Sequence, residues 1–294
     1  MQPRVRTLIA SALILAAGSV SAQSLRIGYA DPVSSLDPQL NNYAGDRSVA
    51  LHAFESLVNR HDDKTLPGLA KTWKVLDDTT WQFDLRDDVK WQDGTPLTAD
   101  DFVFSFERAR NVPGSVASYA GATRTVESVK AKDDHTLIIK TKTPNANLLP
   151  DVDSIYIVSR HAGASASSAD YNSGKALIGT GPYRFVSYVP GDRTIFERND
   201  SYWGARPTWD KVDFRFIANA ANRTAALLAG DVDVIDKVSP TDVERLRKTA
   251  GVNVFAYQGL RALIIQPSFR EGPNEYIRDN AGKPLAENPL RDVR

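Results

Sequence analysis

The feature that most constrains this chain is that its strand signals pair up locally while its helix signals stand apart, each with its own cap. Residues 126–132 and 136–141 flank Asp133-Asp134, and residues 183–188 and 194–198 flank Pro190-Gly191, so both stretches predict hairpins. Leu25-Arg26-Ile27-Gly28-Tyr29 alternates apolar with other residues. Trp81, Phe83 and Leu85 alternate with Gln82, Asp84 and Arg86, and each stretch predicts a strand with one buried face. Thr98 is placed to cap a helix whose third position is Asp101, with Phe102, Val103 and Phe106 on one face. Residues 218–229 are alanine-rich and stop at Gly230, which accepts a left-handed C-cap at little cost. Ser239-Pro240-Thr241-Asp242 combines a cap, a first-turn proline and a first-turn acid; Val243 and Leu246 then point inward and Gly251 ends the helix. Strands and helices mixed without a regular strand–helix–strand rhythm predict a mixed α/β or α+β fold. A single doubly wound domain is disfavoured.

Composition removes whole classes of chemistry. Cysteine is absent, which excludes disulfides, thiolate metal sites and a cysteine nucleophile. The four histidines, His52, His61, His135 and His161, show no zinc-enzyme spacing. With 36 basic and 36 acidic residues and no basic run, nothing marks a nucleic-acid partner. A hydrophobic content of 42% is that of a globular chain rather than a disordered one. The amino terminus differs from the rest: Arg4 and Arg6 precede an apolar run over residues 8–20, and Val20-Ser21-Ala22 offers small residues for cleavage after Ala22. A run of about 13 residues fits a secretory signal and falls short of the roughly 20 that span a membrane. Without Arg4 and Arg6 the 36 basic residues become 34 against 36 acidic, a net of −2 for an exported, soluble chain. From Gln23 onward there is no second long apolar run, no repeat and no low-complexity tract; residues 162–173, rich in Ala, Ser and Gly, read as an exposed loop or short helix.

No catalytic constellation stands out. Gly163-Ala164-Ser165-Ala166-Ser167 lacks the last glycine of a nucleophile elbow, and Gly179-Thr180-Gly181 runs into Pro182-Tyr183 and fails both phosphate-loop fingerprints. A tight turn entering a strand is the better reading of it. Residues 231–236 alternate Asp with apolar residues, which suits a solvated strand edge and lacks the glycine and distal glutamate of a calcium loop. Asp87-Asp88 and Asp100-Asp101 are adjacent and point apart, and Asp101 already serves the helix cap. Trp73, Trp81, Trp91, Trp203 and Trp209 suit either a packed core or the wall of a ligand cleft.

Several segments taken together resemble the extracellular solute-binding proteins, family 5, that serve peptide and nickel-type ABC importers. The resemblance runs from about Leu25 to the last residue. Its most specific part is Leu66-Pro67-Gly68-Leu69-Ala70-Lys71-Thr72-Trp73, then Trp81-Gln82-Phe83-Asp84-Leu85-Arg86, then Trp91-Gln92-Asp93-Gly94-Thr95-Pro96-Leu97-Thr98-Ala99-Asp100-Asp101. Ser35-Leu36-Asp37-Pro38-Gln39, Gly179-Thr180-Gly181-Pro182-Tyr183, Glu197-Arg198-Asn199-Asp200-Ser201-Tyr202-Trp203 and Ala226-Leu227-Leu228-Ala229-Gly230-Asp231-Val232-Asp233 follow the same order and spacing.

The resemblance implies a periplasmic binding protein-like, two-lobed fold that closes on a solute and is presented to an ABC permease. It implies no catalysis and no cofactor or metal, and a monomer when full length. Carried onto this chain, it puts a discontinuous first domain at residues 23–58 and 179–262, an inserted second domain at 59–178, and the start of a third at 263–294. In the family, residues 288–294 stand just before a helix early in the third domain, and Asn288-Pro289 reads as a turn with something to follow. The expectation is a sequence truncated at its C-terminus, with the second lobe largely missing. The ligand-contact candidates are Gln39, Leu40, Asn41, Asn42, Tyr43 and Ala44, then Val116 and Tyr119 on the loop after the Thr98 helix, and Leu260 and Arg261 near the crossover between lobes. The expected cargo is a di- or oligopeptide, held through its backbone. Nickel, an opine or a saccharide, a secreted hydrolase acting on peptide or cell-wall material, and a periplasmic sensor or chaperone-like role stay open.

Overall fold

The computed structural model describes residues 23–62, 64–257, 267, 269, 271–272 and 276–291. The signal segment, with Arg4, Arg6 and Ala22, lies outside the described residues, as do Leu260 and Arg261. The chain forms two compact units, one ending at Val243 and the other beginning at Glu244.

The first unit opens with β1 (Ser24–Tyr29), α1 (Ala44–Ala53) and a small hairpin of β2 (Val58–His61) and β3 (Lys64–Pro67). Then come β4 (Ala70–Asp77), β5 (Thr80–Leu85), α2 (Ala99–Arg110), α3 (Ala120–Thr123), β6 (Val126–Asp133) and β7 (Thr136–Thr141). Three short helices, α4 (Leu148–Asp153), α5 (Arg160–Gly163) and α6 (Ser168–Asn172), lead to β8 (Tyr183–Val189), β9 (Arg193–Arg198) and β10 (Lys211–Phe216). After α7 (Ala220–Ala229) and β11 (Val234–Ile235), α8 (Pro240–Arg247) carries the chain past the boundary.

Two sheets dominate the first unit. The four-stranded one, in the order β4-β5-β7-β6, is wholly antiparallel, and its strands come from one continuous stretch. One face is covered by α2, whose Phe102 and Phe106 are fully buried with Phe83, Leu137 and Ile139. Each such side chain removed from water contributes about 1.5–3 kcal/mol. Asp101 fixes the start of α2: its Oδ2 accepts the Thr98 N–H at 3.0 Å and the Trp91 indole N–H at 3.3 Å, and its Oδ1 accepts the Arg160 N–H at 2.8 Å. Trp91 is therefore a core residue, while Trp73, Trp81 and Trp203 pack half-buried against the same core and Trp209 is exposed.

The five-stranded sheet, β11-β1-β10-β9-β8, joins distant parts of the chain. Strand β1 runs parallel to β10, with Ser24 opposite Lys211, and parallel to β11, with Ile27 opposite Val234. The hairpin of β8 and β9 turns at Gly191, whose φ of 73° a side chain would oppose, and completes the sheet antiparallel. Against it packs α1, with Val49, Ala50 and Ala53 buried among Phe196, Val212 and Phe214.

Several sequence expectations need revision. Residues 231–236 lie along the sheet edge as expected, with Asp231 and Asp233 exposed, but β11 covers Val234–Ile235 alone, Val232 is buried, and Asp233 binds Arg26 through Nε at 3.0 Å and Nη2 at 2.7 Å. The predicted Ala-rich helix starts two residues later, where Asn219 accepts the Asn222 N–H at 3.0 Å, and ends at Gly230 with φ 78° as expected. Helix α8 ends at Arg247, four residues before Gly251. Residues 162–173 hold the end of α5 and all of α6, whose Ser167 cap and Asp170 bond each other. Helix α1 and strands β2, β3, β4 and β10 carry no expectation from pattern alone.

In the second unit, Asp279 organises a turn by accepting the N–H groups of Ala281 and Lys283, both at 2.9 Å, next to an Arg278–Pro284 bridge. A single 3-10 turn, Pro289–Arg291, follows Asn288, which accepts the Leu290 N–H at 3.1 Å.

Candidate functional site

The most distinctive sequence segments turn out to be joints between elements. Asp37 is fully buried and grips Arg108 of α2 with both oxygens, at 2.9 and 2.6 Å, while Ser168 donates to Oδ2 at 2.6 Å. Gly179 and Gly181 lie against the end of α1: a Cβ at Gly179 would stand 1.7 Å from the Ala53 carbonyl oxygen, and one at Gly181 2.7 Å from the Ala53 carbonyl carbon. Only hydrogen fits, and Gly181 uses the closeness to donate its N–H to that carbonyl at 2.9 Å. Glu55, two residues after Ala53, accepts the Tyr202 hydroxyl and the Trp203 indole N–H, both at 2.9 Å, and Arg86 stacks over Trp203 at 4.1 Å. Burial raises the Glu55 pKa and the two donors partly offset that shift. No reacting group is assembled at these joints.

The candidate contact residues separate into a hidden and an exposed set. Gln39 is 1% exposed, and its amide is committed: Nε2 donates to the carbonyls of Ser105 (3.0 Å) and Tyr156 (2.8 Å), and Oε1 accepts from Arg108 at 3.1 Å. Leu40 is half-buried and donates its N–H to the Asp37 carbonyl at 3.2 Å. Asn41 is buried and couples two loops, accepting the Val116 N–H at 3.1 Å while donating to Ser34 Oγ at 3.2 Å. The next residue repeats the coupling, since Asn42 donates its N–H to the Ala117 carbonyl at 2.8 Å. Asn42, Tyr43, Ala44 and Val116 face solvent, and Val116 is 79% exposed. Ala44 is the first residue of α1, not part of a loop. Tyr119 points inward at 2% exposure, at the cap of α3, and burial raises its hydroxyl pKa. The two candidate stretches, far apart in sequence, thus meet, and their exposed members form a ledge.

The ledge extends to residues that pattern did not single out. Ser34 sits on Asp46, donating from its N–H at 2.6 Å and its hydroxyl at 2.5 Å, and burial raises the Asp46 pKa against those bonds. The backbone of Pro32 presses on Gly45, where a Cβ would lie 2.1 Å from the Pro32 oxygen. Asp31 then meets Lys237 at 2.6 Å. These residues follow β1 or β11, and only the topology shows that they share an edge. A cleft of about 470 Å³, lined by Trp91, Thr98, Asp101, Ser159, Arg160 and His161 among others, involves none of the ledge residues. Among the described residues, no cluster of three or more His, Asp or Glu side chains is placed to hold a metal ion, and no helix is long and apolar enough to cross a membrane.

Comparison with known proteins supplies the context for this geometry. The chain is 30% identical over 268 residues to the periplasmic murein peptide-binding protein MppA of Escherichia coli K12, covering 83% of this chain and 49% of that protein. The structure of Haemophilus influenzae OppA in complex with RPPGFSPFR superposes with a TM-score of 0.70 at 27% identity, over 77% of this chain and 48% of that one. That of MoaA from A. tumefaciens R10 with mannopinic acid does so at 0.69 and 28%, over 77% and 48%. The chain spans about half the length of the curated relatives it matches. The family described as bacterial extracellular solute-binding proteins, family 5 (middle), matches residues 64–294. With the motifs, the two-sheet fold and this match in agreement, the chain belongs to the bacterial extracellular solute-binding proteins of family 5.

Proposed function

We propose that the chain is the substrate-binding component of an ABC importer, that it takes di- or oligopeptides, and that the exposed ledge of Asn42, Tyr43, Ala44 and Val116 forms part of the peptide seat. The observation that carries this reading is the joining of the 39–44 and 115–119 stretches through Asn41 and through the Asn42–Ala117 bond. Such cross-bracing holds main chain in place beside an exposed edge. At α1 the first N–H groups have no partner inside the helix, and the cap residue Tyr43 supplies no side-chain acceptor. Main-chain donors suit a ligand recognised by its own backbone, because every peptide offers the same carbonyls whatever its side chains. Family relatives with peptide-binding names support the cargo class.

In this reading residues 1–22 are a cleaved export signal, residues 23–58 with 179–262 and residues 59–178 make two domains, and a third begins at 263. The protein works in the periplasm as a monomer beside a membrane permease. Binding proceeds by lobe closure, with no bond made or broken. Leu260 and Arg261 stay in the proposed contact set with the ledge residues, Gln39, Leu40, Asn41 and Tyr119 serving behind it.

Calorimetric titration with a panel of di- to pentapeptides, with mannopinic acid and nickel as competitors, tests the assignment. Saturable peptide binding that weakens in Asn42→Ala and Val116→Asp supports it. Binding of the opine or the metal alone would replace the cargo, and turnover of chromogenic peptide substrates would replace binding with catalysis.

A further inference from the structure

At the carboxyl ends of the three mutually parallel strands β1, β10 and β11, one buried arginine ties the loops together. Arg223 of α7 is 2% exposed. Its Nη1 donates to the carbonyls of Ile217 (2.7 Å) and Ala218 (2.8 Å), its Nη2 to that of Lys237 (3.0 Å) and its Nε to that of Asp236 (3.3 Å). The Asp236 carboxylate in turn accepts the Ala30 N–H, just beyond β1, at 2.8 Å. Under this grip Lys237 is held at a φ of 47°, in the left-handed region that costs a side-chain-bearing residue free energy. Such a conformation persists where the surroundings over-determine it, and it is found most often at working sites.

The constrained backbone puts the Lys237 ammonium against Asp31, 2.6 Å from each carboxylate oxygen. An ammonium carries three donors. Two are engaged by Asp31, and the side chain remains 47% exposed, so the third is available to an acceptor arriving from solvent. Through Asp31, Pro32 and Gly45 this cation adjoins the Tyr43–Ala44 end of the ledge. The other charges along that line are spent inside the fold, Asp46 on Ser34 and Asp37 on Arg108, while Arg47 binds the Ser154 carbonyl at 2.8 Å. In open sheets with parallel strands, ligands settle outside the carboxyl ends.

We infer that Lys237 is a specificity-determining residue whose outward N–H takes a carboxylate of the bound solute, and that Arg223 is the positioning residue that sets its backbone. The inference rests on the peptide-binding reading and adds to it a preference for acidic groups at one end of the ledge. A terminal and a side-chain carboxylate would both satisfy the cation, and the test separates them.

Titration of the 294-residue chain with trialanine, trialanine amide, and amidated tripeptides bearing one glutamate or one glutamine measures both. The expected result is a preference of about tenfold for the carboxylate member of one pair, which identifies the source. Lys237→Met should remove that preference by weakening the carboxylate member of the pair toward its carboxylate-free partner, Lys237→Arg should retain it, and Asp31→Asn should increase it by freeing the cation. Arg223→Lys should reduce the preference without an equal loss of affinity for the carboxylate-free peptides, which loss of fold alone would not do. Equal affinities within both pairs, or a preference indifferent to Lys237→Met, overturn the inference and leave peptide binding standing. Failure of all four peptides to bind overturns both.

Discussion

The two main sheets of the first unit are built in opposite ways. The four-stranded sheet takes β4 to β7 from residues 70–141, pairs them only antiparallel and closes one face with the helix that lies between β5 and β6 in sequence. The five-stranded sheet sets β1 beside β10 and β11, and its fastenings include Gln23 N–H to Asp210 at 2.8 Å and Arg26 to Asp233 at 2.7 Å, about two hundred residues apart in sequence. Local pairing closes short loops and costs little chain entropy, whereas the parallel pairing must gather distant segments first. The Lys237–Asp31 pair belongs to the gathered sheet, and the candidate ledge bridges its side of the molecule to the loop after α2, through the Asn41–Val116 and Asn42–Ala117 bonds. Each sheet carries its own buried cluster, and the candidate contact residues stand where segments remote in sequence are brought side by side.

The strongest way to break this contrast is Phe102→Ala. Removing a fully buried ring between α2 and the four-stranded sheet is expected to cost about 4 kcal/mol in denaturant unfolding. Amide hydrogen exchange then decides the comparison: protection should fall in β5 and β7 more than in β9 and β10, and an equal loss in both would make the sheets one cooperative body. Arg108→Met comes next, at about 3 kcal/mol, because it leaves the buried Asp37 carboxylate without its cation. It should also loosen the ledge, visible as faster exchange of the Asn42 and Val116 amides. Gly179→Ala probes the seam between β8 and α1. The Ala53 carbonyl must move to admit a methyl group, and a loss of about 2 kcal/mol is expected in thermal unfolding.

The smallest effect is a pH dependence. Burial raises the Glu55 pKa in the folded state, so the folded chain holds that proton more tightly than the unfolded chain. The resulting stabilisation is complete below the ordinary glutamate pKa and is lost as pH rises through the raised value. His52, one turn earlier, has the opposite sign: burial lowers its pKa, and its contribution is lost as pH falls below the ordinary histidine range. Thermal midpoints of Glu55→Gln should therefore decline more on acidification than those of the parent chain. Parallel profiles for the two proteins would mean that Glu55 binds its proton equally well in the folded and unfolded chains.

What could be read before the structure depended on how local the cause was. The Thr98–Asp101 cap, the hairpins at Asp133-Asp134 and Pro190-Gly191, and the Gly230 stop each act within a few residues, and each appears where the pattern placed it. Helix α1 leaves little mark in the sequence because its apolar face is short and its packing partners, Phe196 and Phe214, come from β9 and β10. Asp233 is exposed as its pattern predicts, but nothing near it in sequence announces its bond to Arg26. Gln39 and Tyr119, candidate contacts by their place in the sequence, both face inward: Ser105, Arg108 and Tyr156 bind the amide of the first, and the second is buried at the start of α3.

The sequence by itself determined the local architecture and the family. Caps, turns and alternation work through neighbours a few bonds away, and the ordered run of motifs from Ser35 to Asp233 agrees with the family 5 match over residues 64–294. Tertiary structure alone decided which of those residues share a surface. Parallel pairing of β1 with β10 and β11 places Asp31 beside Lys237, and the Asn41 amide brings Val116 to the ledge. Those juxtapositions depend on contacts between segments separated by long loops, whose energies no short window of sequence contains.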